Sequence, residues 1–141
     1  MAADPIRVLI VDDNAAAARL LANQLSEHGL EARAATEAEE AVAIALAFAP
    51  TVVVLDLFLR GTSGLDLARA LRADPQAGYT AIIVLSGHSG DEYRERARNA
   101  GCDFYLVKPC PAEELVKAIR EVLARGSRKS PDSPSQDVLA K

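Results

Sequence analysis

Charged and hydroxyl side chains follow four apolar segments of this sequence, each at the point where the segment ends. Asp12 and Asp13 follow the first segment, Asp56 the second, Ser86 the third and Lys108 the fourth. In an open parallel sheet, the carboxyl ends of the strands border the crevice in which ligands bind. If these segments are strands of one sheet, three acids, a hydroxyl and an ammonium therefore meet at one edge.

Such a cluster has the chemistry of a phosphoryl acceptor. Crowded carboxylates raise one another's pKa, so Asp12, Asp13 and Asp56 favour a bound cation. Mg²⁺ suits them because it prefers oxygen ligands and keeps waters or phosphate oxygens in its shell. A carboxylate is also able to take a phosphoryl group as an acyl phosphate. Mg²⁺, Lys108 and Ser86 would then stabilise the charge on that group.

Taken singly, each of these residues has a more ordinary explanation. An Asp at the end of a strand is commonly a turn residue or a helix cap, and a lone Lys-Pro is usually part of a loop. The functional interpretation depends on their occurrence together, at the ends of four separate segments.

Strands and helices alternate about five times along the chain. Apolar and β-branched segments predict strands at 6–11, 31–35, 52–56, 80–85 and 103–107. Apolar residues at helical spacing predict helices over 15–28, 36–49, 64–73, 89–100 and 111–125. This alternation predicts an α/β protein with a parallel sheet and helices on both of its faces.

Three local patterns predict where helices begin. A fourth pattern predicts how tightly one helix packs. Thr36 and Ser89 each precede a glutamate by three residues, as in a capping box. Pro111 suits a first helical position. The helix over 89–100 has only a thin apolar stripe, which includes Tyr93 and Ala97. It is therefore expected to dock weakly and to move at low cost.

The composition limits the domain count and the partners. A chain of 141 residues fits one domain, predicted over 1–126, and the Ser/Pro-rich segment 127–141 is typical of a disordered tail or linker. The net charge of -4 argues against non-specific binding of nucleic acid. The longest apolar run, 41–49, is well short of the roughly 20 residues that span a membrane.

The two cysteines do not form a disulfide framework. Cys102 and Cys110 are predicted to be packing residues beside the fifth strand. No secretion signal is visible at the start of the sequence. A cytoplasmic protein is therefore expected.

In combination, these motifs resemble those of the receiver domain of two-component response regulators over about residues 6–125. The resemblance implies a flavodoxin-like fold of three layers with five parallel strands in the order 2-1-3-4-5, an order that is known for a chemotaxis member of the family. It implies that Asp12 and Asp13 are metal-binding acids, that Asp56 is the phosphoacceptor, and that the backbone carbonyl of Phe58 is a further Mg²⁺ ligand.

The resemblance also assigns roles at the ends of the last two strands. Ser86 matches the switch hydroxyl, Tyr105 the switch aromatic residue and Lys108 the lysine that contacts the phosphate. Tyr105 has an equally ordinary explanation as an aromatic residue of an edge strand. A cis peptide bond between Lys108 and Pro109 is implied as well.

The sequence departs from the family pattern near the acceptor. Leu59-Arg60 stands where the family usually has Met-Pro, which predicts a looser loop. Phe58 and His88 occupy the two positions that, in the family, tune hydrolysis of the aspartyl phosphate. A bulky ring at Phe58 would obstruct the attacking water, so slow dephosphorylation is expected.

The expected function is a phosphorylation switch rather than a multiple-turnover enzyme. The donor would be a sensor histidine kinase or a histidine phosphotransfer protein, and the output would be a homodimer or a downstream protein target. Phosphatases with an Asp nucleophile need a second Asp two residues later, where this chain has Phe58. A scaffold of the same fold that never accepts phosphate is the remaining alternative.

Overall fold

A five-stranded parallel sheet forms the centre of the computed structural model, which describes residues 5–77 and 80–125. Its strands are β1 (Arg7–Val11), β2 (Glu31–Ala35), β3 (Val52–Leu55), β4 (Ala81–Ser86) and β5 (Phe104–Val107). They lie in the order β2-β1-β3-β4-β5, and each neighbouring pair is parallel. The predicted flavodoxin-like α/β fold and its strand order are confirmed.

Five helices cover the two faces of this sheet. They are α1 (Ala15–Glu27), α2 (Ala38–Phe48), α3 (Gly64–Ala73), α4 (Asp91–Asn99) and α5 (Ala112–Ala124). Buried residues of α1 and α5 share one apolar cluster, whereas those of α2, α3 and α4 belong to a second cluster on the opposite face. The chain therefore forms three layers with a core on each side of the sheet.

Strand β3 shows why its sequence has no polar interruption. Val52 and Val54 pack into the cluster under α1 and α5, and Val53 and Leu55 pack into the other cluster. All four side chains are at most 1% exposed. A strand that is buried on both faces has no position for a polar side chain until it ends.

Both predicted capping boxes are wrong. Helix α2 begins after Glu37, whose side chain makes no capping bond, and Glu40 rather than the predicted glutamate accepts a hydrogen bond from the Thr36 N–H. Helix α4 begins at Asp91, two residues after Ser89. The backbone enters each helix later than the pattern indicates, so the side chains do not reach the amides that they would cap.

The segment after β3 forms a short hairpin, and that it is looser than usual stays a prediction. Residues Phe58–Leu59 pair in antiparallel fashion with Thr62–Ser63. Gly61 in the turn has a φ of 81°, which favours glycine. At the end of the hairpin, a Cβ on Gly64 would lie 1.8 Å from the Asp56 carbonyl oxygen. Only glycine allows α3 to begin so close to the end of β3.

Both cysteines lie among apolar residues, as predicted. Cys102 is buried in the cluster under α2, α3 and α4, and Cys110 is half-buried against the other one. Among the described residues, no helix is long and apolar enough to cross a membrane. The predicted tail over 127–141 lies outside the described residues.

A buried ion pair joins α3 to the amino ends of β4 and β5. The Arg72 guanidinium donates to Asp103 Oδ2 at 2.7 Å and to the Gly101 carbonyl at 2.9 Å, and also to the Thr80 carbonyl. Asp103 Oδ2 also accepts the Ile82 N–H at 2.8 Å. The two side chains are 13% and 1% exposed. This contact fixes the end of the sheet opposite the predicted site.

Replacing Arg72 by Ala should lower the free energy of unfolding by about 3–5 kcal/mol, because it leaves the Asp103 carboxylate buried without its cation. The matched control is Arg69→Ala on the same helix. Arg69 pairs with Asp66 at the surface, where both side chains are more than half exposed. That change should cost about 1 kcal/mol or less. Urea unfolding measures both, and equal losses would contradict the assignment.

Candidate functional site

The ends of β1, β3, β4 and β5 lie at one edge of the sheet. Backbone hydrogen bonds align these ends: the Asp56 N–H donates to the Val11 carbonyl at 3.1 Å, and the Lys108 N–H donates to the Ser86 carbonyl at 2.7 Å. Asp12 follows Val11 directly. The polar residues picked out in the sequence therefore share one edge of the sheet.

The Lys108 ammonium lies between two carboxylates. Its Nζ atom is 3.1 Å from Asp12 Oδ2 and 3.2 Å from Asp56 Oδ2. Partial burial lowers the pKa of Lys108, but the hydrogen bond to Asp12 and the charges of Asp56 and Asp12 outweigh it. The net pKa lies above that of an ordinary lysine. The Lys108–Pro109 peptide bond is cis.

The other carboxylate oxygens of Asp12 and Asp56 accept hydrogen bonds from backbone amides. Asp12 Oδ1 accepts the Asn14 N–H at 3.0 Å, and Asp56 Oδ1 accepts the Phe58 N–H at 3.4 Å. Asn14 in turn caps α1 by accepting the Ala17 N–H at 3.0 Å. Short loops thus orient both carboxylates toward Lys108.

Asp13 lies at the same edge, but it borders a neighbouring pocket. It lines this pocket together with Asn14, Ala15, Thr36, Glu37 and Arg60. Within residues 5–77 and 80–125, no group of three or more His, Cys, Asp or Glu side chains is spaced to hold a metal ion. Mg²⁺ does not need such a cage, because it commonly binds through one or two carboxylates and keeps several waters. The carboxylate oxygens at this edge match that preference.

Ser86 and Tyr105 are connected through the backbone N–H and carbonyl groups of His88. The buried Ser86 Oγ accepts the His88 N–H at 3.2 Å, and the Tyr105 hydroxyl donates to the His88 carbonyl at 2.5 Å. The Tyr105 side chain is buried beneath the Arg94 guanidinium, which lies 5.0 Å from its ring centroid. Burial raises the pKa of Tyr105. Both predicted switch residues thus contact the segment that leads into α4.

Three rings, on the segments after β3 and β4 and on α4, form a contact that the sequence pattern does not predict. The Phe58 and His88 ring centroids are 4.7 Å apart in an edge-on arrangement, and those of His88 and Tyr93 are 4.9 Å apart. Phe58 is 51% exposed even so. We call Phe58, His88 and Tyr93 the aromatic bridge. Its sequence signal was the position of Phe58 and His88, each two residues after a residue of the site.

A family profile of the response regulator receiver domain matches residues 8–120. The chain belongs to this family. Receiver domains are signalling domains and generally not enzymes, and those of the family bind Mg²⁺ for phosphorylation.

Similar proteins include longer regulators. The chain is 35% identical over 136 residues to the response regulator MprA of Mycobacterium sp. (strain KMS), covering 96% of this chain and 58% of MprA. It is 32% identical over 127 residues to the phosphate regulon transcriptional regulatory protein PhoB of Pseudomonas aeruginosa, covering 90% and 56% respectively. The chain thus spans somewhat more than half the length of these relatives.

Solved receiver structures share the fold. The chemotaxis response regulator CheY4 of Vibrio cholerae superposes with a TM-score of 0.79 at 27% identity, covering 84% of this chain and 99% of CheY4. A putative response regulator from Chloroflexus aurantiacus gives a TM-score of 0.80 at 31% identity, covering 86% and 100%. These matches agree with the strand order found in this receiver domain.

The raised pKa of Lys108 predicts how its contribution to stability varies with pH. Folding favours the ammonium, so this contribution is present in full below the ordinary lysine pKa of about 10.4 and is lost as the pH rises through the raised value. Wild type should be more stable than Lys108→Met at neutral pH, and the difference should shrink under alkaline conditions.

Urea unfolding over a pH series checks this prediction. Lys117→Met, which removes an exposed lysine from α5, is the control and should not reproduce the trend. A stability difference between wild type and Lys108→Met that stays constant as the pH rises would contradict the prediction.

Proposed function

We propose that this receiver domain is a phosphoacceptor in a two-component system and that Asp56 takes the phosphoryl group. The main support is the Lys108 ammonium, which lies within hydrogen-bonding distance of the Asp56 and Asp12 carboxylates. Response regulators are phosphorylated by histidine kinases, so the donor we propose is a phosphohistidine on a sensor kinase or on a phosphotransfer protein.

Each residue at the edge has a chemical task in this proposal. An Asp56 oxygen attacks the phosphorus, forming a P–O bond while the P–N bond to the donor histidine breaks. Asp12, Asp13, Asp56 and the Phe58 carbonyl would hold Mg²⁺, which supplies positive charge beside the phosphoryl oxygens when it is bound. Lys108 donates to a phosphoryl oxygen, since its ammonium already lies against the acceptor.

Ser86 carries the signal away from the acceptor. Its hydroxyl is free to donate to a phosphoryl oxygen if it turns from the His88 N–H. Because Tyr105 bonds to the carbonyl of the same His88, a shift of Ser86 disturbs the segment that leads into α4. Ala97 is the one fully buried residue of that helix. Phosphorylation of Asp56, a local change in charge, thus acts on α4, which moves at a low cost in free energy.

The output surface that we propose consists of α4, β5 and α5, and its partner is a second copy of the chain or a downstream protein. We also propose that residues 1–126 are the receiver domain, with 127–141 as a tail or linker. Helix α5 ends at Ala124, close to that boundary. Because a histidine kinase is the proposed donor, the compartment is the cytoplasm.

Replacing Asp56 by Asn should abolish phosphorylation, because the amide removes the nucleophilic carboxylate. The full chain is incubated with Mg²⁺ and phosphoramidate, and the product is followed on phosphate-affinity gels and by intact mass. Asp66→Asn, which removes an exposed acid of α3, is the control and should label as wild type does. Labelling that persists in Asp56→Asn would identify a different acceptor. A wild-type chain that never labels would favour the scaffold alternative.

Replacing Asp13 by Asn should raise the Mg²⁺ concentration needed for half-maximal labelling by about fivefold or more. A unit charge at about 4 Å is worth about 1–4 kcal/mol near a protein surface, and this variant removes one. Glu37→Gln removes a charge from the same pocket but not from the proposed ligand set. Equal shifts in both variants would mean that Asp13 acts through the overall charge of the pocket and not as a ligand.

A further inference from the structure

The aromatic bridge connects the two segments that flank the acceptor. Phe58 and His88 each form a backbone hydrogen bond with a residue of the site. The Phe58 N–H donates to Asp56 Oδ1 at 3.4 Å, and the His88 N–H donates to Ser86 Oγ at 3.2 Å. Their rings then meet edge-on. The contact between the rings therefore links the segment after β3 to the segment after β4, whose backbone amides donate to Asp56 and Ser86.

Tyr93 in the first turn of α4 supports this contact. Its ring centroid lies 4.9 Å from that of His88 and 6.1 Å from that of Phe58. His88 needs such support because it lies in an exposed segment between Gly87 and Gly90. The glycines add no side chain that restrains the imidazole. Tyr93 is itself anchored, since it packs against the cluster under α2, α3 and α4.

We propose that Tyr93 is a positioning residue that holds the His88 imidazole against Phe58 and thereby keeps the aromatic bridge closed over one side of Asp56. This inference depends on the proposed function. The reaction that it affects is hydrolysis of the acyl phosphate on Asp56. A water oxygen forms a bond to phosphorus, the bond from phosphorus to the Asp56 carboxylate oxygen breaks, and the proton of the water leaves with the phosphate or to solvent.

A closed bridge lengthens the life of the phosphorylated state because it excludes water from that side of the acceptor. The position of α4 then controls this lifetime, since Tyr93 moves with the helix. A partner that holds α4 in the position seen here prolongs phosphorylation, and one that displaces α4 shortens it. Such coupling is reciprocal in free energy, so phosphorylation also biases the binding of that partner.

Two substitutions at Tyr93 separate the ring from the hydroxyl. Tyr93→Phe keeps both ring contacts. Tyr93→Leu keeps apolar packing against the cluster but removes the ring. The full chain is labelled with phosphoramidate and Mg²⁺, the donor is removed, and the loss of phosphate is followed on phosphate-affinity gels. Tyr93→Phe should match wild type, whereas Tyr93→Leu should lose phosphate about 2- to 10-fold faster, the range that one aromatic contact controls.

Two further measurements distinguish positioning from general loss of structure. In a Phe58→Leu background the bridge is already open, so adding Tyr93→Leu should change the lifetime little. Independent effects that multiply would overturn the proposal. Glu95→Ala, at an exposed position of the same helix, should keep the wild-type lifetime, and a shorter one would show that any change in α4 is sufficient.

The outcomes also separate this inference from the proposed function. If wild type labels on Asp56 but Tyr93→Leu has the wild-type lifetime, the inference about Tyr93 is wrong and the acceptor assignment stands. Equal acceleration in Tyr93→Phe and Tyr93→Leu would mean that the hydroxyl, and not the ring, is the active group. If wild type never labels, both proposals fail.

Discussion

The ion pairs of Lys108 are the interaction on which the candidate site depends. Two strands end in carboxylates that lie close enough to share one ammonium, with Nζ to oxygen distances of 3.1 and 3.2 Å. Without that cation the two negative charges would repel each other. The same arrangement suits phosphoryl transfer, because a cation already stands where the charge of an incoming phosphoryl group would develop. Lys108 is thus a stabilising partner of both acids, and in the proposed function it is also a preorganised contact for phosphate.

These charges come together because the buried strand β3 has no position along its length for a charged side chain. Strand β3 is buried on both faces, so its first ionisable side chain, Asp56, comes where the strand ends. The close approach of Gly64 to the Asp56 carbonyl then starts α3 at once. At the opposite end of the sheet, the buried Arg72–Asp103 pair holds the beginnings of β4 and β5. Charged contacts therefore hold β5 at both ends, through Asp103 before it and Lys108 after it.

The regular alternation of strands and helices was the part of the fold most predictable from the sequence. The parallel sheet and the common edge of the strand ends follow from apolar segments and their order, and the strand order came from the resemblance to receiver domains. Contacts between side chains distant in sequence were not predictable in this way. Nothing in the spacing of Arg72 and Asp103 indicates that they pair, and the position of Tyr93 indicates only a place in an apolar stripe. The capping boxes failed because a short motif does not determine where the backbone first turns into a helix.

The most direct test of the account is a crystal structure of the full chain with Mg²⁺ and beryllofluoride, a mimic of the phosphoryl group. The account predicts beryllofluoride bonded to an Asp56 carboxylate oxygen, with Lys108 Nζ and Ser86 Oγ within hydrogen-bonding distance of its fluorides and Mg²⁺ beside Asp13. A structure in which the mimic binds elsewhere, or in which Lys108 turns away from Asp56 when the mimic is bound, would contradict it.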